Sequence, residues 1–165
     1  MTGPEISSMS ERAGLIRFLD YQRAALIKKL DGISEADARC APTVSSLSLL
    51  SLVKHSAIWE RRWFQIVAAG QLVPGEWPEQ VQDSSDQTFG LTDDDSVDKI
   101  LASYREQIAA SNQILADFDL DAPCVWPPMA DKNLRWVALH LIEETARHAG
   151  HADIIRETID GTTGV

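Results

Sequence analysis

Four stretches of this chain repeat their apolar residues at helical spacing over about 20 positions each, and none alternates apolar and polar residues as a strand does. The first covers 10–30, where Leu15, Phe18, Leu19, Gln22, Leu26 and Leu30 trace one stripe, Ser10 can cap the start and Asp31-Gly32 stops it. The second covers 46–69, with Leu49, Leu52, Val53, Ser56, Trp59, Trp63 and Ile66 on its inner side and Gly70 closing it. The third begins after Thr92, whose hydroxyl can cap while Asp93, Asp94 and Asp95 suit the positive end of the helix dipole, and it ends near Phe118. The fourth covers 133–159. Helices of this length bury their stripes only against one another, so the expected fold is an all-α four-helix bundle.

With 165 residues, a single domain over 1–165 is expected. The connection 71–91 is longer than helical bundles ordinarily use, which makes it a crossover or a segment that covers a site. Acidic residues outnumber basic ones 25 to 15, a net charge of −10 that argues against nucleic acid and anionic membrane as partners. The chain shows neither a run of apolar residues long enough to span a bilayer nor a start like a secretory signal. Its two cysteines, Cys40 and Cys124, stand far apart and suit a reducing compartment, so a cytoplasmic location is expected. Neither has a nearby histidine to mark it as a nucleophile, and both are read as packing residues.

The chemistry concentrates on the fourth helix. At 3.6 residues per turn, His140, Glu144, His148 and His151 fall within roughly 80° of arc on a face that should point inward. Buried imidazoles and carboxylates lose their water unless something satisfies them, and a divalent metal does so. The remaining histidine, His55, lies on the second helix among apolar neighbours, one turn from Trp59. Bundle cores commonly build metal sites from a pair on one helix and single ligands on others. Glu144 and His148 are about 6 Å apart in rise and His148 and His151 about 4.5 Å, but Glu144 and His151 are about 10.5 Å apart and do not share one ion. His148 belongs to both solutions. His140, about 12 Å in rise from His148, ranks last as a ligand.

The fourth helix from Asn133 to His151, together with the Leu52 to Phe64 segment, resembles the DinB-like superfamily (DinB/YfiT-like bundles), and is closest to an actinobacterial branch of it. That metal-binding four-helix group includes the mycothiol-dependent maleylpyruvate isomerases and the S-transferases that use bacillithiol or mycothiol. The resemblance covers nearly the whole chain. It implies a metal triad of His55, Glu144 and His148, a set like that of the maleylpyruvate isomerases. Many members end this motif in His-Arg-Gly-Gln, whereas here the stretch reads His148-Ala149-Gly150-His151. The histidine in place of Gln leaves open a His148 and His151 ligand pair, or an acid–base role for His151 beside the ion.

Two histidines and a carboxylate suit Zn, Ni, Fe or Mn, with open positions as in catalytic centres. The resemblance implies that the metal activates a low-molecular-weight thiol such as mycothiol toward a small electrophile, in an S-transferase or isomerase reaction. A non-catalytic metal- or ligand-binding bundle with a sensor or stress role is the alternative. Trp59, Trp63, Phe64, Trp126 and Trp136 are read as core or dimer interface, and the apolar Trp63-Phe64 pair leads to an expected homodimer. Glu60-Arg61-Arg62 is read as a solvated turn of helix, with one arginine as an alternative carboxylate holder.

Overall fold

The computed structural model describes residues 9–73 and 86–164. Its long helices are α1 (Glu11–Lys28), α3 (Leu49–Arg61), α4 (Val97–Asp117) and α5 (Leu134–Asp160), with a short α2 (Glu35–Arg39) in the first connection. Helix α3 continues into a π-helical segment, Arg62–Ala68. Two 3-10 turns, Asp86–Phe89 and Pro127–Met129, complete the elements among the described residues. Among the described residues the only strand-like pairing is an isolated bridge between Pro123 and Asn133, so the fold is all-α as expected. Helix α3 packs mainly on α4 and α1 mainly on α5. The middle of the 71–91 connection, expected to cross over or to cover a site, lies outside the described residues.

Local chemistry sets most of the boundaries. The Ser10 hydroxyl accepts from Ala13 N, Ser48 and Ser51 form a reciprocal capping box at the start of α3, and Asn133 accepts from Trp136 N at 3.0 Å. Helix α5 ends at Gly161, whose φ of 76° is the left-handed conformation that closes helices. The start of α4 differs from expectation. Ser96, not Thr92, is its cap, because the Asp95 carboxylate accepts from Thr92 N at 2.7 Å and from Lys54 Nζ at 2.8 Å. The acidic run 93–95 therefore makes a turn pinned to α3 instead of a first helical turn.

The core has two clusters. One gathers Leu26, Leu49, Leu52, Val53, Tyr104 and Ile155, the other Leu19, Phe64, Val67, Leu115, Val137 and Leu141. Burial of each such aliphatic side chain stabilises by about 1.5–3 kcal/mol. The fully buried residues in the second half of the α3 run are Glu60, Phe64 and Val67, one position on from the expected Trp59, Trp63 and Ile66. Trp59 and Trp63 are half-buried and face a pocket instead.

Glu60 is not solvated. It is fully buried and receives the Arg23 guanidinium of α1, which also holds Asp20 at 2.6 Å and Asn112 of α4 at 2.8 Å. Burial drives the Glu60 carboxyl upward while Arg23 opposes this. Arg62 is also buried, its guanidinium 5.2 Å from the Trp59 ring centre. The π segment meets the connection between α4 and α5: Val67 O accepts from both Val125 N (2.9 Å) and Trp126 N (3.1 Å). Gly70 ends it at φ 65°, where a Cβ would stand 2.6 Å from Val125 Cγ1, so both conformation and space call for glycine.

Candidate metal centre and its pocket

Helices α3 and α5 enclose a cavity of about 210 Å³. Helix α3 supplies His55, Ser56 and Trp59, and the π segment adds Trp63. From α5 come His140, Leu141, Glu144, Thr145 and His148, successive turns of one face. His55, Ser56, Thr145 and His148 are buried and form the deep end, whereas Trp59, Trp63, His140 and Glu144 are half-buried toward the opening.

His55 and His148 meet across the deep end, ring centres 4.8 Å apart and edge to face. His55 is fixed on two sides: its ring stacks on Phe89 at 3.9 Å, and its Nδ1 lies 2.6 Å from Thr88 Oγ1. The same hydroxyl accepts from Trp59 Nε1 at 3.3 Å. With Nδ1 engaged, Nε2 is the nitrogen left to a ligand. His148 differs in having both ring nitrogens buried with no hydrogen-bond partner among the described residues. Buried polar groups are ordinarily paired, so this ring is a candidate for a ligand the chain itself does not supply.

Burial lowers the pKa of His55 to about 3, with contributions from His148 and Arg62, and burial likewise lowers His148. Both are neutral imidazoles at neutral pH, the form that binds metals. The 3.9 Å separation of His148 Nε2 from Glu144 Oε2 is therefore not an ion pair.

Glu144 stands between two groupings. Its Oε1 receives Arg147 Nη1 at 2.6 Å, and Arg147 Nη2 holds Glu143 at 2.7 Å. Among the described residues, the group whose ligand atoms all lie within 4.8 Å of one another is His140, Glu143 and Glu144. His55, Glu144 and His148 do not all draw that close, although Glu144 turns its other oxygen, Oε2, to within 3.9 Å of His148 Nε2. His140, which ranks last on the sequence, is thus nearer the chemistry than its distance from His148 implies. Two facts weigh against a metal at His140: Arg147 is already paired with both carboxylates, and the ring is stacked on Trp136 at 4.9 Å with 14° between planes.

His151 is exposed, its ring centre 6.2 Å from that of His148, and it does not line the cavity. The aromatic residues divide. Phe64 is fully buried in the core, while Trp59 and Trp63 line the pocket, so neither Trp63 nor Phe64 forms the outer stripe on which the expected homodimer rests. Cys124 is buried in the core and its thiol is pushed up, chiefly by burial, while Cys40 is exposed; neither lines the pocket. No helix among the described residues is long and apolar enough to cross a membrane.

The sequence matches a family model described as Mycothiol-S-transferase over residues 14–161. No curated protein matches. Among solved structures, the crystal structure of a conserved protein from Enterococcus faecalis is similar, with a TM-score of 0.64 and 13% identity over 94% of this chain and 100% of that one. At that identity the likeness is one of fold.

Proposed function

We propose, since this chain belongs to the mycothiol S-transferase family, that it is a metal-dependent enzyme holding a divalent ion on His55, Glu144 and His148 and using it to activate a low-molecular-weight thiol toward a small electrophile. The observation that supports this reading is His148, a buried imidazole with two unpartnered nitrogens, 4.8 Å ring to ring from a second neutral imidazole. The donor set fits the group: two neutral histidines and one carboxylate suit Zn, Ni, Fe or Mn and leave positions open. When bound, such an ion supplies the positive charge that keeps a thiol as its nucleophilic thiolate at neutral pH.

The chain's own residues divide the remaining work. Thr88 and Phe89 hold the His55 ring in one orientation. Glu144, with Oε1 on Arg147 and Oε2 3.9 Å from His148 Nε2, would bring negative charge to the centre. Trp59, Trp63 and Leu141 keep water from the reacting sulfur. His151, exposed beside His148 and outside the cavity, would exchange the thiol proton with solvent by way of water.

The test is consumption of mycothiol with a panel of small electrophiles, with and without a chelator. Transfer that falls on metal removal and returns on its restoration supports the proposal; no metal-dependent transfer across the panel favours the second reading. That reading is a bundle that binds a metal or ligand without turnover, and the position of His151 outside the cavity speaks for it.

A further inference from the structure

Three indoles and one imidazole are packed together at the opening of the cavity. Trp63 stands, ring centre to ring centre, 6.3 Å from Trp59, 5.5 Å from Trp136 and 4.7 Å from His140. Trp136 backs His140 without lining the cavity itself. Two of these indoles already carry cations: the Arg62 guanidinium lies 5.2 Å from the Trp59 ring centre, and Lys132 Nζ lies 5.6 Å from that of Trp136. Trp63 instead meets three aromatic rings, which hold its indole at a set tilt before any ligand arrives. A surface fixed in advance loses little freedom on binding.

From this arrangement we infer that the pocket is specific for a molecule carrying a flat, uncharged aromatic or conjugated ring, which packs on Trp63 beside His55 and His148. Size sets the upper bound. A cavity of about 210 Å³ is below the roughly 300–1,000 Å³ that enclose drug-sized ligands, so it admits one ring with a short functional group. Charge narrows the class further. Glu144, which lines the cavity and shares the single charge of Arg147 with Glu143, disfavours an anionic ring, and Arg62 over Trp59 disfavours a cationic one. The inference rests on the proposed function only in taking that molecule to be the electrophile; recognition of the ring needs neither thiol nor turnover.

Two soluble, unreactive probes of matched size separate ring stacking from simple burial: phenylmethanol and cyclohexylmethanol, titrated into the whole protein and followed by tryptophan fluorescence and ligand-observed NMR. The saturated alcohol is the more hydrophobic, so burial alone would place it first. Stacking reverses the order, and phenylmethanol should bind about three- to tenfold more tightly, with ring protons shifted upfield. Trp63→Leu should abolish the preference and Trp63→Phe should retain most of it. Equal affinity for the two alcohols in the unmodified protein, or a preference that survives Trp63→Leu, would overturn the inference. If the preference holds while no thiol transfer is found, the ring site stands and the proposed function falls. Transfer without the preference leaves the proposed function standing and removes the ring site.

Discussion

The imidazoles of His55 and His148 stand edge to face with centres 4.8 Å apart, one from α3 and one from α5, and among the described residues only His55 has a hydrogen-bond partner for its ring. That partner, the Thr88 hydroxyl at 2.6 Å, comes from the 3-10 turn Asp86–Phe89 in the last part of the long connection. If it orients His55 as a ligand, Thr88→Val should weaken metal binding by about 10- to 100-fold with the fold intact, as loss of such an outer partner usually does. Competition against a chelating dye measures this, and an unchanged affinity would mean that Phe89 stacking alone sets the ring.

Arg147 competes with any ion for Glu144, holding Oε1 at 2.6 Å. Because Arg147 is exposed, the pair is worth at most about 1 kcal/mol. Arg147→Ala should therefore tighten metal binding by no more than about fivefold. A loss of affinity in the same titration would show that Arg147 supports the centre instead of opposing it.

The buried Arg23–Glu60 pair ties α1 to α3, and through Asn112 to α4. Removing one partner strands a charge in the core, so Glu60→Leu or Arg23→Met alone should cost about 3–5 kcal/mol in urea denaturation. The double replacement should recover most of that loss. Additive losses in the double variant would contradict a role as a mutually compensating pair.

These pairs also show what can be read from the chain alone. The four long helices are legible because stripes and caps are local, and Ser10 and Asn133 act where their chemistry predicts. Glu60 escapes such a reading, since a charged side chain on a helix ordinarily faces water and its partner lies 37 residues away. Its helical spacing with Val53, Ala57 and Phe64, all buried, is the signal that could have found it. The start of α4 is set by Lys54, on another helix, reaching Asp95. Rise along the helix separates His140 from His148, yet three of the groups that approach His140, namely Glu143, Glu144 and Trp136, are within about one turn of it. Pairing of His55 with His148 is legible, because apolar neighbours on both helices point these rings inward.

Acid should destabilise the metal-free protein through these rings. The folded-state pKa of His55 is depressed to about 3, below its ordinary 6.5. The unfolded chain therefore binds the extra proton first, and stability falls as pH drops below about 6.5 and continues to fall toward 3. At one pH unit below 6.5 the His55 share is on the order of 1 kcal/mol. Urea midpoints at pH 7.5 and 5.5 should show a larger acid loss for the natural chain than for His55→Gln. Equal losses would mean that His55 is not neutral and buried in solution.

Metal content per chain, determined by elemental analysis of the protein and its His148→Ala, His140→Ala and His151→Ala variants purified side by side, tests the central claim most directly. With His55, Glu144 and His148 as the ligands, His148→Ala loses stoichiometric metal and His140→Ala keeps it; His151→Ala, altered outside the cavity, also keeps it. Full occupancy in His148→Ala together with loss in His140→Ala would move the ion to His140, Glu143 and Glu144 and contradict the account.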